Sequence, residues 1–305
     1  MYTIETGLAA LAGVMLVYGG SGSVYKNLWS FKLPRQAPWP SRLVDMATLS
    51  DWDTIVLDGG ASGSSMLEME VSLCRNDLPC QLRVVGPGTI SASAKSSLSC
   101  RDSDGCTGVA LRSLHFTGER REGGADHLFL SGVPLNINNS TLLGTSVTVR
   151  AAVVDLKYSA FVDCRFTLER GTQLFLFFST VVGNAASLDS KPALSLSSGT
   201  FASVDTSRFE NIHSVSSGAA LLVVGSTLEV SDSHFVNCSS GGTGGAIHAE
   251  PLFNPAGEMR SSIQISSSSF SDCHAASSGG EISGKGSRTL VHVCSSSLHA
   301  GCAHS

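Results

Sequence analysis

The feature that most constrains this chain is an internal repeat of about 26 residues. An apolar residue, one intervening residue, a second apolar residue, four further residues and a third apolar residue recur eight times from Val109 to Leu298. The seven steps between successive third positions average 26 residues. The third positions are predicted to form one core stack, made of Phe116, Leu142, Phe161, Val181, Phe209, Phe235, Phe270 and Leu298.

A second column of residues keeps the same phase as the apolar template. Two residues after the third apolar position, seven of the eight repeats carry Gly, Asn or Asp, which tolerate left-handed backbone or form turns. We predict that this column is a turn ladder, made of Gly118, Gly144, Asp163, Gly183, Asn211, Asn237 and Asp272. Each repeat therefore predicts two short strands joined by a polar corner, a sharp bend and a third strand.

One such repeat buries too little apolar surface to be stable alone. Stacking the repeats ~4.8 Å apart would pair every strand with its equivalents and create one continuous core. The sequence therefore predicts an all-β chain, a right-handed parallel β-helix of about 8–10 coils with three short strands each. The longest step contains PLFNPAGEMR (251–260), which indicates a loop insertion. A β-sandwich would not hold one phase over eight repeats.

The ends of the chain differ from the repeat. Residues 1–23 contain the apolar run GLAALAGVMLVY, which predicts a signal peptide or an apolar leader. A first buried strand or a capping helix are the alternatives, and the run is too short for a membrane span. Residues 24–50 are predicted to be a leader or N-terminal cap, and 51–305 a β-helix that is incomplete at its C-terminus.

Charge and cysteine content narrow the class of protein. Charged residues make up 15% of the chain, the formal net charge is −5, and no basic patch stands out, so no nucleic-acid partner is predicted. Nine cysteines are present. The pairs Cys74 and Cys80, and Cys100 and Cys106, enclose polar loops and predict small disulfide-closed loops, with reduced surface thiols as the alternative.

Cys238 and Cys273 each follow a turn-ladder residue and should stack in adjacent coils. That separation permits a disulfide, and a buried column of thiols is the alternative. A metal site that adds His213 and His274 is a further geometric option, but no metal or cofactor is predicted. His248, which follows an inward-facing residue, is expected to point outward as a surface side chain.

The segment FVNCSSGGTGGAIHAE (235–250) resembles the polymorphic outer membrane protein repeat, which pairs a Phe/Asn motif with Gly-Gly-Ala-Ile. The broader likeness, which includes DTIVLDGG (53–60), is to pectin-lyase-like right-handed β-helices and covers roughly 50–305. The resemblance implies a secreted or surface-displayed protein that acts in adhesion or host contact. It implies little about chemistry, because function resides in sites rather than folds.

No catalytic residue is predicted. The Asn-Thr-Asp, Asp-Asp, Gly-His-Gly and Arg-Ile-Lys motifs of polygalacturonase-like enzymes are missing, and Asp163 falls in the turn column. Asn138 and Asn139 begin N-glycosylation sequons, which matter if a eukaryote secretes the chain.

The expected function is structural, adhesive or ligand-binding, outside the cell or on its surface. Expected partners are surface glycans or host and cell-surface proteins, with membrane association only through other segments. The alternative is a polysaccharide lyase or glycoside hydrolase of the pectin-lyase-like fold.

Overall fold

A computed structural model describes the backbone of residues 14–17, 53–57, 66–68, 71–72, 80–92, 98–101, 106–118, 128–183, 191–254, 257–286, 288–294 and 297–299. Its description of side chains begins at residue 108. Every regular element in these ranges is a strand, and the long sheets are parallel. The chain divides into two compact units, Met1–Ser146 and Val147–Ser305.

The first unit contains ten strands. They are β1 (Val14–Val17), β2 (Asp53–Leu57), β3 (Met66–Glu68), β4 (Val71–Ser72), β5 (Cys80–Ala92), β6 (Leu98–Arg101), β7 (Cys106–Gly118), β8 (Leu128–Ser131), β9 (Leu135–Asn138) and β10 (Thr141–Leu143). Strands β2, β5, β7 and β9 pair in parallel, as do β4, β6 and β8. Strand β1, inside the N-terminal apolar run, pairs antiparallel with β2. The predicted signal peptide and cap otherwise lie outside the described residues and remain predictions.

The second unit contains the remaining strands, except that the first residue of β11, Ser146, is the last residue of the first unit. They are β11 (Ser146–Arg150), β12 (Val153–Lys157), β13 (Ala160–Val162), β14 (Arg165–Glu169), β15 (Gln173–Phe177), β16 (Thr180–Val182), β17 (Leu194–Ser197), β18 (Phe201–Asp205), β19 (Arg208–Glu210), β20 (His213–Ser214), β21 (Leu221–Val224), β22 (Thr227–Ser231), β23 (His234–Val236), β24 (Ser239–Ser240), β25 (Ile247–Glu250), β26 (Leu252–Asn254), β27 (Gly257–Met259), β28 (Ser261–Ser266), β29 (Ser269–Ser271), β30 (His274–Ala275), β31 (Ile282–Gly284), β32 (Thr289–Cys294) and β33 (Ser297–His299).

In the second unit, equivalent strands of successive coils pair in parallel, and each set of equivalent strands forms a series. One series is β12, β15, β18, β22, β28 and β32, and the next is β13, β16, β19, β23, β29 and β33. A third is β14, β17, β21, β25 and β31, and a short fourth is β20, β24 and β30. The predicted insertion is an antiparallel hairpin, β26 with β27. This stacking confirms the predicted parallel β-helix.

The core stack of the second unit runs through the middle of the β13 series. Its positions pair in register in the order Phe161, Val181, Phe209, Phe235, Phe270 and Leu298. The four phenylalanines are fully buried, and Val181 is 3% exposed. The side chain of Leu298 is outside the described set. In the first unit, Phe116 and Leu142 are buried and pair in register between β7 and β10.

The turn column divides into two kinds of position. Left-handed backbone occurs at Gly144, Asp163, Asn211, Asn237 and Asp272, with φ between 52° and 62°. Gly118 is instead the last residue of β7. Gly183 is not left-handed, and a Cβ there would lie 2.8 Å from the Ile212 Cα, so glycine is required by the close approach of the next coil.

A buried ladder of hydroxyl groups lines the corner between the β12 and β13 series. Its members are Ser159, Ser179, Ser207, Ser233 and Ser268. The amide of each of the first four donates to the hydroxyl of the next member at 3.1–3.2 Å. Each hydroxyl donates to the carbonyl two residues earlier, so the corner satisfies its own polar groups.

Candidate functional site

The outer surface of the β12 series carries an unusual concentration of aromatic rings. Along these strands the burial alternates, so the residues between the core positions face outward. In three adjacent coils the outward positions and the corner beside them hold five rings. We call this set the aromatic face; it consists of Tyr158, Phe175, Phe177, Phe178 and Phe201.

Tyr158 and Phe178 stack in adjacent coils at the end of their strands. Their ring centroids are 5.2 Å apart and their planes differ by 7°. Both side chains remain 58% and 51% exposed, respectively. Their backbones are left-handed, with φ of 51° and 48°. This conformation is a genuine outlier for a bulky residue and costs about 1–2 kcal/mol each.

The equivalent corner of the other coils holds small or polar residues in the same left-handed conformation. In the second unit these are Thr206, Asp232 and Ser267. Asparagine, aspartate and other small polar side chains suit this backbone better than aromatic ones. The aromatic pair therefore does not serve the turn itself, and strain of this kind is typical of functional positions.

The other rings extend the face across the strands. Phe175 stacks with Phe177 at 6.2 Å and contacts Phe201 in the next coil at 6.3 Å. The Lys157 ammonium lies 5.5 Å from the centroid of the Phe177 ring and forms an ion pair with Asp155 at 2.9 Å. The cation–π contact and the ion pair fix the lysine against the ring.

Carboxylates outnumber cations on the outward positions of β12, β15, β18 and β22. Asp155, Asp205 and Glu229 are the acids, and Lys157 is the base. Asp205 accepts a hydrogen bond from the Ser231 hydroxyl at 2.7 Å, which holds this carboxylate in place between two coils. The aromatic face is therefore bordered by fixed acceptors and a negative field.

His248 is the second site where functional groups converge. It lies between the core positions Ile247 and Ala249 and so faces away from the core. The expectation of a surface side chain is nevertheless wrong, because the residue is 2% exposed. The corner that precedes β25 folds over the ring, and Thr243 Oγ1 lies 2.9 Å from His248 Nδ1. The alternation of inward and outward residues along β25 predicts that the His248 side chain points away from the core. It does not predict that a neighbouring corner buries the ring.

Around His248 the side chains form a chain from hydroxyl to imidazole to carboxylate. Thr243 donates its amide and its hydroxyl to Ser217 Oγ at 3.1 and 3.2 Å. On the other side of the ring, Nε2 lies 3.8 Å from Glu250 Oε2. Burial lowers the pKa of His248, while Glu250 opposes that shift and Lys285 adds to it.

Two backbone amides beside this chain of groups are not available to stabilise an oxyanion. The amides of Gly244 and Gly245, next to Thr243, donate to the carbonyls of Ser278 and Gly280. They are therefore committed to the stacked coils and are not oriented to stabilise an oxyanion. The imidazole is also closed to solvent. The arrangement serves as a structural hydrogen-bond network in the β25 corner.

The predicted cysteine sites lie in both units. Cys80 and Cys106 begin β5 and β7 and are register partners on these neighbouring strands, and Cys100 lies within β6. Cys74 is outside the described residues. The disulfides within both loops remain predictions.

Other predicted sites are placed as follows. Asn138 ends β9, and exposed Asn139 donates from Nδ2 to Ser113 Oγ at 3.2 Å. Their glycosylation remains a prediction. His213 Nδ1 contacts Ser239 Oγ, and His274 is exposed whereas Cys238 and Cys273 are buried. Across the described part of the chain, no three His, Cys, Asp or Glu residues are grouped as metal ligands.

Tyr158 and Phe178 had a signal in the sequence that the repeat template did not use. Both stand two residues after the second apolar position, where the other coils carry Ser, Asn, Thr or Asp.

The described residues also include no helix long and apolar enough to cross a membrane.

The parallel strand series and their shared core define a parallel β-helix protein. No family model matches the chain, and no curated protein matches it.

Among solved structures, the chain is similar to the A-modules of two Azotobacter vinelandii mannuronan C-5 epimerases. For AlgE6 the identity is 10%, the match covers 81% of this chain and 89% of that one, and the TM-score is 0.30. For AlgE4 the identity is 11%, the coverages are 81% and 87%, and the TM-score is 0.26. The periplasmic alginate epimerase AlgG is 10% identical, with coverages of 98% and 97% and a TM-score of 0.23. The fold of this chain is defined by the pairing of its strands.

Proposed function

We propose that this chain is a ligand-binding β-helix protein, secreted or displayed on a cell surface, whose aromatic face binds a neutral glycan. The observation that carries the proposal is the strained, exposed pair of Tyr158 and Phe178. The backbone strain at these two residues destabilises the fold, and rings that remain exposed to solvent add little packing to offset it. A ligand that buries the rings would offset this strain through the apolar contacts it makes with them.

The chemistry of the face fits a sugar chain. A pyranose ring presents C–H groups on its flat sides and hydroxyl groups around its rim. The flat sides pack against aromatic rings, which offer large, rigid apolar surfaces at low entropic cost. The hydroxyl groups find acceptors in Asp155 and Asp205 and a donor in Lys157. Because the rings follow adjacent coils, an extended chain would lie along the stacking direction.

The charge of the face favours a neutral glycan over a uronate. Asp155, Asp205 and Glu229 would repel the carboxylates of a uronate chain, and Lys157 is already paired with Asp155. Like charges brought together at an interface oppose binding. The same charges are good acceptors for the hydroxyl groups of an uncharged sugar.

Titration calorimetry against neutral β-glucan and xylan oligosaccharides, with alginate and polygalacturonate oligomers as charged competitors, tests the proposal. We expect binding of a neutral chain and weakening of about tenfold or more in Kd for Tyr158→Asn or Phe178→Asn. Asparagine suits left-handed backbone, so these variants should fold.

Thr206→Asn is the matched control, because it makes the same change at the same corner of the next coil without removing a ring. Equal affinity of all three variants would reject the aromatic face. Binding of uronates but not neutral glycans would reject the charge argument.

One observation favours glycoside hydrolysis as a second candidate. Asp205 and Glu229 face outward on adjacent coils, and Glu229 pairs with Ser203, two residues before Asp205. The strand spacing and rise place their Cα atoms about 8 Å apart. Side chains that project from the same face of the sheet at these positions can hold their carboxyl groups at a similar separation, and inverting glycosidases hold theirs about 6.5–9.5 Å apart.

Reducing-end release from the same polysaccharides tests this candidate, with uronates also followed for unsaturated products with and without calcium. Activity that Asp205→Asn abolishes would make the chain an enzyme. Binding without product release in the wild type would leave it a binding protein.

A further inference from the structure

Cys238 and Cys273 occupy equivalent positions of adjacent coils. The β23–β29 pair precedes them and the β24–β30 pair follows them, both in register. The Asn237 amide donates to the Ser271 carbonyl at 2.9 Å, and the His274 amide donates to the Cys238 carbonyl at 3.0 Å. The backbone is therefore tied on both sides of the cysteines. Neighbouring strands are ~4.8 Å apart, within the ~4.4–6.8 Å between Cα atoms that a disulfide requires.

Both cysteines are free thiols in the structure, and the Cys273 thiol is directed toward the coil of Cys238. Both residues are fully buried. Cys273 Sγ lies 3.6 Å from the Phe235 carbonyl, which belongs to the coil of Cys238, so the thiol reaches back toward that coil. A hydrogen bond between the thiols raises the pKa of Cys238, and burial adds to that shift. The same bond lowers the pKa of Cys273 despite its burial.

Packing alone does not require sulfur at these positions. One coil earlier the same column holds Ile212, which is 4% exposed and follows left-handed Asn211 in the same way. An aliphatic side chain therefore fits the space. Two consecutive coils carry thiols where an aliphatic residue would suffice.

We propose that Cys238 and Cys273 form an inter-coil disulfide when a small-molecule disulfide oxidises the chain. The Cys273 thiolate attacks one sulfur of the oxidant, forms a mixed disulfide and expels one thiolate. The Cys238 thiol then loses its proton and attacks the Cys273 sulfur, and the second thiolate leaves. One oxidant disulfide is reduced to two thiols, and the two protein thiols are oxidised to one disulfide.

Burial sets when this reaction takes place. Small oxidants do not reach thiols with no exposed surface, so the exchange proceeds while the coil of Cys273 is open, during folding or local unfolding. Once formed, the disulfide joins two coils across the intervening residues 239–272, including the β26–β27 hairpin. It then resists separation of the coils and is itself shielded from reductants.

The experiment refolds the full chain with a mixture of oxidised and reduced glutathione, and in parallel with a phosphine reductant. Remaining thiols are alkylated in denaturant and the peptides are mapped by mass spectrometry. We expect a peptide pair that joins Cys238 to Cys273 after oxidative refolding. The thermal midpoint of the oxidised chain should exceed that of the reduced chain by roughly 5–10 °C.

Two variants separate this disulfide from other oxidation. Cys273→Val keeps an aliphatic side chain in the column and should lose both the cross-link and the gain in midpoint. Cys164→Val, which also replaces a buried cysteine after a left-handed residue, should keep both. Alkylation of both Cys238 and Cys273 after oxidative refolding would overturn the proposal. So would a cross-link from either to a different cysteine, or an equal gain in midpoint in Cys273→Val.

Discussion

Phe209 and Phe235 lie face to face in adjacent coils, with ring centroids 4.7 Å apart and planes within 5°. Phe235 repeats this relationship with Phe270, at 4.6 Å and 1°. These separations match the ~4.8 Å spacing of neighbouring strands, so the rings stack because the backbones do. The phenylalanines of the core stack therefore follow the register of the strands.

Phe235→Ala should therefore be among the most destabilising single substitutions in the second unit. It removes a fully buried ring from between two others and leaves a cavity, which costs about 3–5 kcal/mol of unfolding free energy. Urea denaturation followed by circular dichroism measures the loss. Phe253→Ala is the control, because that ring is 74% exposed and its removal should change stability little. Similar losses in both variants would contradict the role of the stack.

The core stack was predictable from the sequence because the same apolar position recurs in every repeat. Residues at one position of the repeat face the same way in every coil. The recurrence of apolar residues there therefore predicts that they all face the core, as it does for Phe161, Phe209, Phe235 and Phe270. The insertion before β28 was also predictable, because its Pro and Gly residues interrupt the phase.

Other features depend on contacts that no single repeat encodes. The burial of His248 arises from Thr243 and Ser217, which belong to corners of different coils. The left-handed corner at Tyr158 and Phe178 was not predicted, because the repeat template considers only its three apolar positions. These two aromatic residues lie between the second and the third. The turn column was predicted as one class, yet Gly183 serves close approach rather than a left-handed bend.

Asn237 combines a left-handed backbone with a side-chain ladder. Its φ is 52°, and its Nδ2 donates to Asn211 Oδ1 at 2.9 Å. Asn237→Ala should lose about 1 kcal/mol for the backbone and about 1 kcal/mol for the hydrogen bond. Asn237→Gly tolerates the backbone and should lose about half as much. Thermal unfolding of the two variants measures the difference, and a glycine variant less stable than the alanine variant would argue against the left-handed requirement.

Ser207 is a central member of the hydroxyl ladder. Its Oγ accepts from the Ser179 amide at 3.2 Å and donates to the Asp205 carbonyl at 2.9 Å. Ser207→Ala removes both bonds in a site that is 2% exposed, which should cost about 1–3 kcal/mol. Ser203→Ala, on the outer surface of the preceding strand β18, should stay within about 0.5 kcal/mol of the wild type. Chemical denaturation compares the two, and equal effects would mean that the ladder adds no stability.

His248 should make the stability of the second unit depend on pH. Burial lowers its pKa in the folded chain below the ordinary value of 6.5, so the folded state favours the neutral imidazole. The unfolded chain binds a proton more readily, and stability therefore rises with pH in this window. The contribution is fully present above pH 6.5 and is lost as the pH falls through 6.5 toward the lower folded pKa.

His248→Gln removes this titration while keeping a polar side chain near Thr243. Unfolding free energies measured between about pH 7.5 and 5 should fall more steeply in the wild type than in this variant. His292→Gln, which changes an exposed histidine of β32, should retain the wild-type slope. Because Glu250 raises and Lys285 lowers the pKa of His248, Glu250→Gln should steepen the wild-type dependence further. Parallel pH profiles for the wild type and His248→Gln would show that the buried imidazole is not the group responsible.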